Sequence, residues 1–317
     1  MRLLIAIPAL NERANIGSVL EGLPETLEGV EEISTLVVDD GSTDGTARIA
    51  MEHGARVVCH PRNIGVGAAF QSAVTQSLEC GTDLLVTIDA DGQFDPGEMG
   101  KLVAPLINDE ADFVTGTRFA VGARPKNMPW VKYKGNLMVA RLLRSFTGST
   151  LSDVSCGYRA YSREALYHLN LFGKFTYTQE TILDLSFKNL RLAEVPISVK
   201  YGEGRRSRVA GSVSRYAMNA SKIILRTARD FKPMRFFGLL GAAVFLLGAV
   251  LDAWMLAYFL RVGSFTPYKF VGFTGVSLNI GGVLVFGVAL LADMLDRMRV
   301  NQERLLYHVR RQTYDRR

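Results

Sequence analysis

Thr87-Ile88-Asp89-Ala90-Asp91-Gly92-Gln93 closes an apolar run, Asp83-Leu84-Leu85-Val86-Thr87-Ile88. A short apolar run bounded by turn residues predicts a buried strand. Two carboxylates stand one residue apart at its end, and an amide oxygen follows two residues on. Hard divalent cations such as Mg²⁺ or Mn²⁺ take oxygen ligands and share their shell with substrate phosphates. Asp89, Asp91 and Gln93 can supply such a partial shell and leave room for a diphosphate. The plainer reading is that Asp-Gly is only a turn after a strand. Short acidic motifs are common, so the surrounding chain has to decide.

Working outward, the N-terminal half repeats one pattern. Apolar runs at 3–7, 33–38, 56–59, 83–88 and 112–116 read as strands. Helices are expected at 16–20, with Asn11 or Asn15 as its cap, and at 47–53 and 68–78. Strands alternating with helices predict a mostly parallel α/β sheet with helices on both faces. Ligands of such sheets bind beyond the carboxyl ends of the strands. The polar residues stand at those ends: Pro8 to Glu12, Asp39-Asp40, Asp89 to Gln93, and Arg118. A carboxylate accepts from a base's ring N–H, so Asp40 suits uracil or guanine. Part of Asp39-Asp40-Gly41-Ser42 also reads as a turn and cap, through Asp39 and Ser42. Asn63-Ile64-Gly65-Val66-Gly67 hints at a dinucleotide fingerprint, but Phe70 stands where a third glycine belongs and the turn follows the third strand, not the first.

Composition excludes several classes. The chain has 317 residues, enough for one large domain or two smaller ones, and a net charge of +6 with its basic residues placed late. No nucleic-acid partner is expected from that balance. Cys59, Cys80 and Cys156 lie far apart, without metal-ligand spacing, and read as small buried thiols. The four histidines, His53, His60, His168 and His308, form no cluster. The apolar start is too short for a signal peptide and reads as a first strand.

Ile7-Pro8-Ala9-Leu10-Asn11-Glu12, Val37-Val38-Asp39-Asp40-Gly41-Ser42-Thr43-Asp44-Gly45-Thr46 and Asp89-Ala90-Asp91-Gly92-Gln93 together resemble glycosyltransferase family 2, with its Rossmann-like GT-A fold. Within it they resemble the polyprenyl-phosphate glycosyltransferases, such as dolichol-phosphate mannose synthase. The resemblance implies a nucleotide-diphosphate sugar donor. It places Pro8, Glu12, Val38 and Asp40 around the nucleoside. It puts Asp89, Ala90 and Asp91 at the ribose, diphosphate and metal, with Gln93 joining Asp89 and Asp91 around the ion. Arg118 reaches the phosphates. Leu10 departs from the tyrosine that relatives often carry beside the base.

Residues 124–147 are basic and amphipathic, with Trp130, Tyr133 and Leu137 at helical spacing. They suit a helix that meets an apolar surface and guides a lipid phosphate, or an ordinary solvated helix. Asp153-Val154-Ser155-Cys156-Gly157-Tyr158-Arg159 resembles the family segment that backs the donor sugar. Glu180, at the start of a helix over 181–188, matches the acidic residue that serves many inverting relatives as general base. A phosphate monoester acceptor is already largely ionised near neutral pH, so Glu180 suits sugar positioning as much as base work. A strand over 192–199 follows. Arg205, Arg206 and Arg208 then form a cluster able to clamp phosphate, or a solvated basic loop.

The C-terminal third changes character. Residues 213–231 read as a basic amphipathic helix suited to a headgroup plane. Residues 236–260 and 271–291 are long and apolar enough to cross a bilayer. The lone charge of the first, Asp252, is placed near the far interface. Gly272, Gly275, Gly281, Gly282 and Gly287 allow close packing of the second span on the first. The positive-inside rule puts both flanks in the cytoplasm. Residues 293–312 read as a further amphipathic helix, for packing or for a homo-oligomer contact. The expected organisation is a cytoplasmic catalytic domain (1–210), an interfacial helix (211–235), a transmembrane hairpin (236–292) and a cytoplasmic tail (293–317). The expected activity is metal-dependent, inverting transfer of a hexose to a polyprenyl phosphate. The rivals are a transferase acting on a polysaccharide or glycolipid, although the Gln-x-x-Arg-Trp motif of processive synthases is absent, and a non-catalytic nucleotide-sugar-binding scaffold.

Overall fold

The structure is a computed structural model. It describes the chain except residues 120–124, 126–127, 129, 172–176, 201–232 and 316–317, and the side chains of residues 131, 132 and 146. Arg205, Arg206, Arg208 and the interfacial helix expected over 213–231 lie outside the described residues. The described residues fall into two compact units, one within Met1–Tyr216 together with Leu306–Arg317, the other within Ala217–Leu305.

The first unit holds seven strands: β1 (Arg2–Ala9), β2 (Glu32–Asp39), β3 (Arg56–Cys59), β4 (Leu84–Thr87), β5 (Phe113–Thr117), β6 (Arg159–Ser162) and β7 (Leu192–Pro196). They form one sheet in the order β3-β2-β1-β4-β6-β5-β7. Every neighbouring pair is parallel except those of β6, which runs antiparallel to both β4 and β5. The central strands β1 and β4 are largely apolar and buried because both their faces are covered. Leu3, Ile5 and Ile7 share a core with Ile16 and Val19 of α1 (Ile16–Glu21), Ala50 of α2 (Thr46–Glu52) and Met99, Leu102 and Val103 of α4 (Met99–Ile107). The alternate residues Leu4 and Ala6 are equally buried, and α3 (Val66–Glu79) packs along β1, β2 and β4. Phe70 of α3 is fully buried and stacks on Tyr177 with ring centroids 4.4 Å apart. The side chain standing in place of a third glycine is therefore a core residue. Three more helices of the unit are α5 (Trp130–Thr147), α6 (Arg163–His168) and α7 (Thr178–Phe187).

Several expectations need correction. Helix α4 is additional, and its entry signals are local: Asp95 Oδ1 accepts from Gly97 N at 3.0 Å, and Pro96 opens the 3-10 turn that leads into it. Strand β6 is also additional. Asn15 stands at the N-cap of α1, but its side chain donates to Glu12 Oε2 at 2.7 Å instead of capping. The strand expected over 192–199 stops at Pro196, and Val199 keeps only a bridge to Phe94. Of the cysteines, Cys156 is buried but Cys59 is exposed.

β6 carries the largest fully buried side chain of the unit, Arg159. A guanidinium is tolerated inside only when its donors are used. Arg159 donates to the carbonyls of Cys156 (2.7 Å), Thr178 (2.8 Å) and Val154 (3.3 Å). It also lies 5.4 Å from the Phe113 ring centroid and 5.9 Å from that of Tyr177. One side chain thus ties the loop before β6 to the N-terminus of α7.

The second unit is an apolar helical hairpin, α8 (Pro233–Val262) and the start of α9 (Lys269–Tyr314). Both helices are long and apolar enough to cross a membrane. Gly241 and Gly248 of α8 face Gly282 and Gly275 of α9, and all four are buried. The seven-residue spacing on each helix keeps both contacts on one seam. A Cβ on Gly275 would lie 2.2 Å from Asp252 Oδ1, and one on Gly248 2.5 Å from Asn279 Oδ1. Gly281 and Gly287, also expected to pack, meet nothing within 4 Å. Asp252 is paired within the hairpin, accepting from Asn279 Nδ2 at 2.6 Å.

The expected separate tail helix is instead continuous with the second span. Its last turns belong to the first unit. Tyr307 donates to Glu164 Oε1 at 2.9 Å and stacks on His168 at 4.4 Å, while Arg163 donates to the Tyr314 carbonyl at 2.9 Å. Arg310 donates to the carbonyls of Tyr167 and Leu169. The tail's packing contact is with its own chain.

Arg159→Met is expected to leave three carbonyls, one of them only partly buried, without their donor and cost roughly 3 kcal/mol, the low end of about 1–3 kcal/mol for each unsatisfied group. Thermal unfolding of the detergent-solubilised protein should fall by about 6–12 °C. Gly275→Val is expected to separate α8 from α9. A cysteine pair placed across the seam should then crosslink several-fold less than in the parent sequence, and unchanged crosslinking would contradict the seam.

Candidate active site

Because β3, β2, β1 and β4 are parallel, their carboxyl ends open on one sheet edge. In register, Pro8 pairs with Val38 and Ala9 with Asp39, while Ala6 pairs with Thr87. The residues that follow, Asn11-Glu12, Asp40 and Asp89 to Gln93, therefore emerge side by side. The sheet brings together Pro8, Glu12, Val38, Asp40, Asp89, Ala90, Asp91 and Gln93 from three strands.

Between β1 and β2 the loops are stitched by short polar side chains. Asp39 Oδ1 accepts from Ser42 N at 3.0 Å, and Ser42 Oγ accepts from Asn11 N at 2.8 Å. Asn11 Oδ1 accepts from Thr43 N at 2.9 Å, and Glu12 N donates to Thr46 Oγ1 at 3.0 Å. Asp44 accepts from Arg13 N at 3.0 Å and from Thr46 Oγ1 at 2.6 Å. Desolvation works against the ionised Asp44, but the bonds from Thr46 and Arg13 outweigh it and hold the carboxyl below its usual range. Asp39 and Ser42 thus form the turn expected of them. Gly41 has φ +81°, and a Cβ there would lie 2.5 Å from the Arg62 carbonyl carbon. Only glycine lets the β2 loop approach the 60–65 loop this closely.

The acidic pair lies at the end of β4. The carboxylate of Asp89 packs against Gly157, where a Cβ would come within 2.6 Å of Oδ1. Its negative charge, after burial itself, holds the Tyr177 phenol well above its usual range. Asp91 Oδ1 accepts from Gln93 N at 3.0 Å, and the Gln93 carbonyl accepts from Lys200 N at 2.8 Å. Among the described residues no three His, Cys, Asp or Glu side chains gather into a metal cage. Asp89, Asp91 and Gln93 are each half-buried, and their side chains can offer oxygen donors. That set fits a hard cation whose remaining ligands come from a diphosphate and water.

Arg118 departs from expectation. Its Nε donates to Asp153 Oδ2 at 2.6 Å, and Nη2 to Asp153 Oδ1 and Ser155 Oγ, both at 2.8 Å. The side chains of Arg118 and Asp153 are 5% and 0% exposed. This is a buried bidentate pair, and a reach to donor phosphates requires it to open. Asn136 of α5 adds a bond to Asp153 at 3.3 Å, so α5 is bound into the site and is not merely a surface helix. Burial, then the charge of Asp153, pushes the Cys156 thiol up to about 12, which keeps it inert. Glu180 lies in the first turn of α7, beside the Thr178 carbonyl that Arg159 holds.

Three contributors escaped the sequence reading. His60, set aside as a scattered histidine, donates from Nδ1 to Asp40 Oδ1 at 2.8 Å. Arg159 was read only as the end of a motif. Asp153, read as backing a sugar, is the partner of Arg118. No local pattern announces any of these pairs, though an arginine inside an apolar segment is a signal that it needs internal acceptors.

Residues 4–169, just over half of the chain, match the family described as Glycosyl transferase family 2. A UDP-N-acetylglucosamine–dolichyl-phosphate N-acetylglucosaminyltransferase of Methanococcus voltae is 33% identical over 63% of this chain and 86% of its own length. A polyprenol monophosphomannose synthase of Mycolicibacterium smegmatis is 31% identical over 68% and 84%. Among solved structures, glucosyl-3-phosphoglycerate synthase of Mycobacterium tuberculosis in complex with Mn²⁺ and UDP-glucose is similar, with a TM-score of 0.53 and 26% identity over 70% of this chain and 78% of that one. The stitched strand ends, the acidic pair after β4 and these likenesses converge: the chain belongs to glycosyl transferase family 2 and is a glycosyltransferase with a GT-A-like fold.

Proposed function

We propose that this chain transfers a hexose from a nucleotide-diphosphate sugar to a polyprenyl phosphate, with inversion, at the cytoplasmic face of a membrane. The observation that carries the reading is the presence, in one chain, of an open acidic strand end and an apolar hairpin long enough to span. An acceptor embedded in lipid explains why a nucleotide-sugar enzyme would carry such a hairpin. The matched relatives whose names include dolichyl-phosphate or polyprenol support the same acceptor class.

In this reading, Asp89 and Asp91, with Gln93, hold Mg²⁺ or Mn²⁺. Such an ion neutralises charge on the leaving diphosphate. Pro8, Glu12, Val38 and Asp40 seat the nucleoside. An oxygen of the lipid phosphate attacks the anomeric carbon from the side opposite the diphosphate. The new C–O bond forms as the bond to the diphosphate breaks, and the nucleoside diphosphate leaves. The acceptor is already largely ionised near neutral pH, so no strong protein base is needed. Glu180 then orients the sugar, and Arg205, Arg206 and Arg208 add positive charge for the phosphates. The Arg118–Asp153 pair keeps the end of β5 in place. The hairpin anchors the protein with both flanks in the cytoplasm, as their excess of arginine and lysine favours.

Membranes carrying the protein, given polyprenyl phosphate and radiolabelled nucleotide sugars, are expected to place label in extractable lipid. Chelator should remove the signal and Mn²⁺ or Mg²⁺ restore it. Asp91→Ala should lower transfer at least about a hundredfold, the scale of losing one preorganised electrostatic contribution, while the thermal transition stays near that of the parent. Full transfer by a folded Asp91→Ala protein would refute the metal assignment. Label in polysaccharide instead of lipid would point to the other acceptor class.

A further inference from the structure

Asp40 directly follows β2, its N–H donating to the Ala9 carbonyl at 2.9 Å; a donor's base is expected here, and the Asp40 carboxylate is mostly committed before any donor arrives. A carboxylate offers about four acceptor positions, two on each oxygen. Oδ1 of Asp40 accepts from Ile64 N at 3.0 Å and from His60 Nδ1 at 2.8 Å. Oδ2 accepts from Gly65 N at 2.8 Å. One oxygen is full, and the other keeps a single position. Because a carboxylate only accepts here, Nδ1 of His60 carries the proton. His60 is held from behind, its Nε2 lying 2.9 Å from Ser72 Oγ on α3. The two side chains are 10% and 5% exposed, so water reaches little of the pair. The backbone donors are held as firmly, because Gly41 seats the β2 loop directly against the Arg62-Asn63 backbone.

We propose that Asp40, held in this state by His60, selects a uracil nucleotide over a guanine nucleotide as donor. The inference rests on the nucleotide-sugar reading of the preceding subsection and narrows it. The Watson–Crick edge of guanine presents two adjacent N–H donors, and a carboxylate takes them as a fork with one free position on each oxygen. Asp40 has none left on Oδ1. Uracil presents one imide N–H, which the remaining position on Oδ2 satisfies. Guanine would leave an N–H without an acceptor beside a carboxylate that water barely reaches, the kind of mismatch that discriminates strongly. His60 is a positioning residue: its N–H removes the second half of the fork. Its side chain can be changed, whereas the Ile64 and Gly65 donors belong to the backbone.

The test is calorimetric titration of the full-length protein in detergent with UDP and with GDP, each in the presence of Mn²⁺. The wild-type protein is expected to bind UDP at least about tenfold more tightly than GDP. His60→Ala frees a position on Oδ1 and should shrink that preference to about threefold or less, chiefly by improving GDP binding. His60→Asn keeps an amide N–H close to the place of Nδ1 and should retain the preference. A merely structural role for His60 would weaken both nucleotides alike and leave the ratio unmoved, which would overturn its part. Equal or tighter binding of GDP by the wild-type protein would overturn the base selection even if no variant folded, while leaving the glycosyltransferase reading intact. Failure of the folded wild-type protein to bind either nucleotide would instead remove the nucleotide-donor reading, and this inference with it.

Discussion

The position of β1, parallel between β2 and β4, is the constraint on which the rest depends. A parallel sheet sends the carboxyl ends of its strands to the same edge. Register then decides which residues meet: Pro8 lies beside Val38, and Ala6 beside Thr87 two residues before Asp89. A slip of one residue would turn every side chain to the other face. It would also carry Leu3, Ile5 and Ile7 away from the core they share with α1, α2 and α4. Apolar packing therefore sets the geometry of the polar edge.

The edge concentrates negative charge, and the fold deals with each carboxylate separately. Asp39 and Asp44 are used up in turns. Asp40 is saturated on one oxygen by a backbone N–H and a histidine. Asp153 is buried and neutralised by Arg118. Asp89 and Asp91 differ in standing half-exposed at the open end of β4. A buried carboxylate is costly unless its charge is met, and the pair at the end of β4 stands where solvent still reaches it. Arg159 plays the opposite part. Its charge is spread over three carbonyls and two aromatic faces, and it holds together segments that would otherwise be independent loops.

The hairpin follows another rule. In an apolar medium close approach, not hydrophobic burial, favours association of helices. Gly241, Gly248, Gly275 and Gly282 supply that approach, and the Asp252–Asn279 bond lies on the same seam. The last turns of α9 then contact α6 through Tyr307, Arg310 and Tyr314. Arg163 and Tyr167, whose positions are set by the sheet through β6 and its Ser162 cap, are thereby also the receptors of the chain's end.

Much of this was legible in the sequence. Continuous apolar runs ending in Asp-Asp or Asp-x-Asp specify buried parallel strands with polar ends, because period and punctuation are local properties of the chain. The two long apolar segments are equally local, since length and composition decide them. Tertiary structure decided the rest. β6 lies between β4 and β5 and runs antiparallel to both, a placement that its four residues do not encode. Arg118 meets Asp153 across 35 positions, His60 meets Asp40 across 20, and Tyr307 meets Glu164 across 143. Each side chain alone suits many partners. Which partner it takes depends on the distances and directions that the folded sheet imposes, and those arise from packing summed over the whole domain rather than from any one segment.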